Sequence, residues 1–185
     1  MLKLSHIPVF SRTKMLTHDF NKGMIVKKGF YMKIYLAQHA KAKSEEEDLS
    51  RPLNDEGIKD VKKICEFLKP LKIKVNAIYH SEKLRAKQTA MFINEAVTSE
   101  NGIIELKDLN PNDDPEKIFS FIMDQKKDFI IVGHLPYLAK LTGFLIAKDQ
   151  NAEPVSFTQG CIACLEKNNE KEKFILQYLV RPDIL

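Results

Sequence analysis

Met32-Lys33-Ile34-Tyr35-Leu36-Ala37-Gln38-His39-Ala40 is a short apolar run with β-branched and aromatic residues that ends in a histidine. It reads as a strand. Two later stretches have the same form. Val75-Asn76-Ala77-Ile78-Tyr79 leads into Ser81-x-x-x-Arg85-Ala86-x-Gln88-Thr89, and Asp128-Phe129-Ile130-Ile131-Val132 leads into Gly133-His134-Leu135-Pro136. From Met32 onward, strand-like and helix-like segments alternate, which predicts an α/β layered sheet rather than separate domains. Ligands of open α/β sheets bind beyond the carboxyl ends of the strands, so side chains at three such ends can converge on one pocket. Two imidazoles and a guanidinium gathered there would suit a phosphoryl group.

The intervening segments carry helix signals. Asn54 is a cap for a helix to Lys69, with Ile58, Val61, Ile64, Cys65 and Leu68 on one stripe and Pro70 beyond its end. A second helix is expected from near Glu82, with Leu84, Met91, Phe92 and Ala96 inward. Asp114-Pro115 pairs a cap with proline at the first helical position and opens a helix through Ile118, Phe119 and Ile122. Pro136 opens another, carrying Leu138, Leu141, Thr142 and Leu145. The chain closes with strands near Cys161–Glu166 and Phe174–Leu179, joined by a polar turn over Lys167–Glu172.

Composition bounds the reading. The 185 residues, 44% hydrophobic and 29% charged, suffice for a single buried core. No run approaches the roughly 20 apolar residues that span a bilayer, so no membrane association is expected. Cys65, Cys161 and Cys164 are too few and too irregular for a disulfide framework, which points to a reducing, cytoplasmic compartment. Cys161-x-x-Cys164 has no second ligand pair, and on a strand through Val155–Glu166 positions three apart face opposite sides, so it reads as two packed side chains. The net charge of +4 is local. Residues 1–31 hold six Lys and Arg against Asp19 alone, +5, which leaves the rest of the chain at about −1. Nucleic-acid binding by the folded domain therefore has no electrostatic support. The expected division is a basic extension over 1–31, with Met32 an alternative start, and one domain over 32–185.

The chain resembles the histidine phosphatase superfamily and, within it, the small SixA-type phosphohistidine phosphatases. The likeness rests on His39, Arg51-Pro52-Leu53, Ser81-x-x-x-Arg85-Ala86-x-Gln88-Thr89, Pro111-Asn112-Asp113-Asp114-Pro115, Gly133-His134-Leu135-Pro136 and the closing hairpin, in that order. It implies a three-layer phosphoglycerate-mutase-like fold with a mostly parallel central sheet and a C-terminal antiparallel hairpin. The family reads Arg-His-Gly where this chain has Gln38-His39-Ala40.

Each candidate residue has a chemical role to fill. A neutral imidazole is a good nucleophile toward phosphorus, and His39 at a strand end is the candidate, giving a phosphohistidine intermediate that water then hydrolyses. Arg85, on the first turn of its helix, presents a planar donor fork for two phosphoryl oxygens. His134, if protonated, would neutralise charge on the transferring phosphoryl group and so stabilise the pentacoordinate transition state. Gln38 offers hydrogen bonds but no charge, so Arg51 is the expected compensator and Lys41 a second candidate, while the acidic run Ser44–Asp48 reads as a solvated face. His80 should point away from the pocket.

These residues form no metal-ligand set, and no cofactor is expected. Asp114 looks committed to capping, whereas Asp113 could be a proton donor. The resemblance implies no strong acid here, which favours a phosphoramidate. The expected activity is thus a phosphatase acting on phosphohistidine carried by a signalling or phosphotransfer protein. The alternatives are a phosphatase of a small phosphorylated metabolite and a non-catalytic phosphate-binding module.

Overall fold

The structure, a computed structural model, describes residues 31–168 and 173–185. The basic extension and the tip of the closing hairpin lie outside them. Among the described residues a six-stranded sheet has the order β5-β3-β6-β1-β7-β8, comprising β1 (Lys33–Gln38), β3 (Ile78–His80), β5 (Ile103–Glu105), β6 (Phe129–Gly133), β7 (Ile162–Asn168) and β8 (Lys173–Val180). β2 (Lys74–Val75) and β4 (Thr98–Ser99) pair separately. The pairs β5-β3, β3-β6 and β6-β1 are parallel, whereas β1-β7 and β7-β8 are antiparallel, so the closing hairpin forms one edge.

Alternation along the strands builds two cores. Ile34, Leu36, Tyr79, Phe129 and Ile131 face one side, covered by α3 (Phe119–Asp124) and α4 (Tyr137–Ala147). Tyr35, Ala37, Ile78, Ile130 and Val132 face the other, covered by α1 (Asp55–Leu68) and α2 (Leu84–Asn94). Strands apolar on both faces are what a sheet with helices on both sides requires. Each large side chain so buried contributes roughly 1.5–3 kcal/mol before chain entropy is counted. Cys161 and Cys164 separate into the two cores and are both free thiols, as the strand reading of their spacing requires. Among the described residues no helix is long and apolar enough to cross a membrane.

Four local expectations are corrected. The segment Val75–Tyr79 is not one strand: the chain leaves β2 at Asn76, whose backbone N–H is taken by Asp128 O and whose carbonyl accepts from Asn101 N, and enters the main sheet only at Ile78. Polar pairing at Asn76 switches the strand from one partner to another. On α2 the inward face is Ala86, Thr89, Ala90 and Ile93, while Met91 is 51% exposed. Small residues let this helix approach the sheet closely, so its buried face is not its bulkiest one. The helix expected after Asp114 begins as a 3-10 turn over Pro115–Ile118, capped by the Asp114 carboxylate accepting from Glu116 N, and becomes α3 at Phe119. The last strand pair starts at Ile162, not Val155, after Gly160 turns the chain with a φ of +80°.

Two contacts lay the loop after β1 over the strand ends. Asn54 caps α1 by accepting from Gly57 N, and Asn54 N–H donates to Lys41 O. A Cβ on Gly57 would lie 2.0 Å from Lys41 O, so only glycine lets the loop pass this closely over the helix. The acidic residues Glu45, Glu46 and Glu47 point to solvent.

Candidate active site

β1, β3 and β6 run parallel and end side by side, so His39, Ser81 and His134 leave the sheet at one edge of it. His39 is 7% exposed and its Nδ1–H donates to Ala40 O at 2.8 Å. A carbonyl can only accept, so the neutral ring carries its proton on Nδ1 and leaves the Nε2 lone pair bare. Arg85, on the first turn of α2, meets that lone pair: its Nε donates to His39 Nε2 at 3.2 Å. The rings of His39 and His134 lie with centroids 4.9 Å apart, tilted by 55°. His134, 1% exposed, holds Ser81 Oγ at 2.6 Å from its Nε2, while its buried Nδ1 has no hydrogen-bond partner among the described residues.

The electrostatics follow from burial beside cations. Desolvation, opposed by the bond to Ala40 O and assisted by Arg85 and Arg51, lowers the His39 pKa to about 4. Burial, then the neighbouring His39, Arg85, Lys83 and Arg51, lowers that of His134 to about 3. Burial and Arg51 also pull Arg85 down from its ordinary value. Both imidazoles are therefore neutral at pH 7, and the fixed positive charge of the pocket resides on guanidinium groups. A site of this kind invites an anion.

The structure brings His39, Arg85 and His134 together and places the remaining candidates around them. Arg51 stands at the stem of the loop 40–54, where Ala42 bridges Leu53 and Lys43 N–H donates to Pro52 O. Its Nε donates to Lys43 O at 3.2 Å, its backbone takes a φ of +48°, and its charge is felt by both histidines and by Arg85. Gln38, 6% exposed, closes β1 directly before His39. It borders a cleft of about 640 Å³, and its buried Oε1 has no hydrogen-bond partner among the described residues. Lys41 lines the same cleft, drawn into ion pairs with Glu56 and Asp60. Asp113 accepts from Asn110 N at 2.7 Å and Asp114 caps its 3-10 turn, so both carboxylates are engaged locally. His80 donates from Nδ1 to Ser81 O.

Ser81, Gln88 and Thr89 stand in the motif around Arg85, but what each of them holds is visible only in the fold. Gln88 Oε1 accepts from Leu53 N, and Thr89 Oγ1 accepts from Ala40 N while donating to Arg85 O. They tie both ends of the loop 40–54 to α2, so the helix that carries Arg85 also fixes the backbone beside His39 and near Arg51.

Fold and site together define an α/β protein that gathers two neutral imidazoles and a guanidinium at the carboxyl ends of parallel strands. The chain has the likeness of the histidine phosphatase superfamily: the family model for branch 1 of that superfamily matches residues 34–110, which include His39, Arg51 and Arg85. Solved structures of several proteins are similar to it. Three of them are the protein histidine phosphatase SixA complexed with tungstate (TM-score 0.72, 21% identity, 83% of this chain and 99% of that one), a putative alpha-ribazole-5'-P phosphatase from Escherichia coli (0.65, 16%, 82% and 97%) and a phosphoglycerate mutase from Plasmodium falciparum (0.57, 21%, 80% and 89%). The fold is therefore phosphoglycerate-mutase-like, mostly parallel with antiparallel strands at one edge. No curated protein sequence matches the chain.

Proposed function

We propose that the protein is a phosphatase that works through a phosphohistidine intermediate on His39 and takes its phosphoryl group from phosphohistidine on a protein. The observation that carries this reading is the bare His39 Nε2, held by a backbone carbonyl on the far side of the ring and guarded by Arg85 at 3.2 Å. An arriving phosphoryl oxygen competes for the guanidinium and releases the lone pair. Nε2 then attacks phosphorus, the P–N bond of the substrate breaks, and the departing imidazole takes a proton from solvent. Water next attacks the phosphohistidine, yielding inorganic phosphate and returning the electron pair to Nε2. Arg85, Arg51 and His134 hold the equatorial oxygens throughout. A similar structure, SixA, was solved with tungstate, an oxyanion of the same tetrahedral shape as phosphate.

Two features support a protein phosphohistidine over a small ester. Asp113 and Asp114 are occupied in local hydrogen bonds, and an imidazole leaving group needs less acid assistance than an alkoxide. The cleft bordered by Gln38 and Leu135 also balances its charges: Lys41, Lys63 and Arg181 line it with Glu56, Asp60 and Asp183. Arg181 is paired to Asp183 at 2.7 Å and Lys63 donates to Pro182 O. Such a wall suits a polypeptide better than a metabolite bearing a second anionic group.

The test is phosphate release from a phosphohistidine-bearing phosphotransfer domain beside para-nitrophenyl phosphate and a set of sugar phosphates. The protein substrate should be favoured in kcat/KM by roughly 10²-fold or more, the usual size of a general-acid contribution that the esters would lack. Preference for one sugar phosphate would instead establish the metabolite reading, and binding of phosphate without turnover of any substrate the binding-module reading.

A further inference from the structure

We infer that Ser81 is a positioning residue that fixes the tautomer of His134, so that a neutral imidazole presents an Nδ1–H donor to the phosphoryl group. This rests on the phosphatase reading for its consequence, though not for its structural content. The observations are geometric. Ser81 is 1% exposed and its hydroxyl lies 2.6 Å from His134 Nε2. Lys83 N–H donates into the same Ser81 oxygen at 3.4 Å. That donor takes one of the hydroxyl's two lone pairs; the hydroxyl proton is free to rotate, and among the described residues Nε2 is the acceptor it reaches. Nε2 is then the acceptor and Nδ1 must carry the ring proton.

The consequence follows from His134 Nδ1 being buried with no hydrogen-bond partner among the described residues. It is the one polar ring atom left with which His134 can meet a ligand. With the proton on Nδ1, an anion finds a preorganised donor; with the opposite tautomer it would face a lone pair and be repelled. An unsatisfied buried donor costs free energy in the empty site and is relieved on binding, which is how a pocket favours its ligand. Ser81 thereby makes His134 useful without requiring it to be charged. The two histidines share a tautomer for different ends: Ala40 O bares the nucleophilic nitrogen of His39, and Ser81 arms the donor nitrogen of His134.

Long-range proton–nitrogen correlation on histidine-¹⁵N protein at pH 7 reads the tautomer directly, without turnover. Wild type should show His134 as the Nδ1–H form, and Ser81→Ala should shift it toward the Nε2–H form that free histidine prefers in water. Inorganic phosphate should inhibit Ser81→Ala roughly tenfold more weakly, and kcat/KM should fall by about 10-fold to 100-fold, less than the roughly 10²–10³-fold of deleting a donor outright because His134 itself remains, with Ser81→Thr restoring part of both. An Nε2–H tautomer in wild type overturns the inference, and needs no variant. So does a Ser81→Ala protein whose tautomer and phosphate inhibition are unchanged. Should the wild-type tautomer be as stated while no phosphoryl substrate is turned over, the placement of Ser81 stands and the phosphatase reading falls.

Discussion

Arg51 takes a left-handed backbone conformation, φ +48°, which costs a non-glycine residue about 1–2 kcal/mol. Its charge reaches His39, Arg85 and His134, and with that of Arg85 it depresses both histidines. The strain is explained if the loop is bent to bring that charge over the strand ends, in place of the arginine that the family has where Gln38 stands. Arg51→Ala should then lower kcat/KM by roughly 10²-fold. Arg51→Gly should lose as much activity while being no less stable than Arg51→Ala, since glycine adopts this φ freely. Gln38→Arg in the Arg51→Ala background should restore part of the loss, measured as a coupling in the double-mutant cycle. A kinetically silent Arg51→Ala would make Arg51 a loop residue only. At this scale the sequence made the residue types and their order readable. It could not show which nitrogen of each histidine is free, because Ala40 O and Ser81 Oγ reach those rings only after folding.

Elements were legible where one face carries the large apolar residues and a cap marks the start. α1 begins one residue after Asn54 and buries Val61, Ile64, Cys65 and Leu68, four members of the stripe read from sequence. β1 and β6 end at Gln38 and Gly133, each directly before the histidine expected at its end. On α2 the expected Phe92 packs against the core and Ala96 is buried just beyond the helix, but Met91 is exposed and Ala86 and Ala90 face inward instead. Alanine is a weak marker in a hydrophobic period, yet it is the residue that permits close approach. The split between β2 and β3 at Asn76 was hidden because Val75, Ala77 and Ile78 continue the apolar run across it. The role of Gly57 was equally invisible, as it depends on Lys41 O arriving from the preceding loop.

For the molecule as a whole, the depressed histidines couple stability to pH. In the unfolded chain each binds a proton near pH 6.5, whereas in the folded protein His39 does so at about 4 and His134 at about 3. Between those values the unfolded state holds more protons, so stability is full above about pH 6.5 and declines as the pH falls through 6 toward 4. The loss attributable to His39 alone is about 3 kcal/mol, and the two rings, being neighbours, do not add independently. The melting temperature should fall steadily from pH 7 to 4.5. In a His134→Gln variant the fall should be shallower, and parallel curves for the two proteins would contradict the assignment. The division of charge between residues 1–31 and the rest was plain from composition, but the structural fate of those residues lies outside the described part of the chain.

The central claim is covalent catalysis at His39, and rapid quench of a single turnover with ³²P-labelled phosphohistidine protein tests it most directly. A labelled, acid-labile and alkali-stable phosphoenzyme should form, map to His39 Nε2, and disappear in His39→Ala together with all but about 1% of turnover. A variant without His39 that keeps about a tenth or more of the wild-type rate, or a wild-type label carried by another residue, would contradict it.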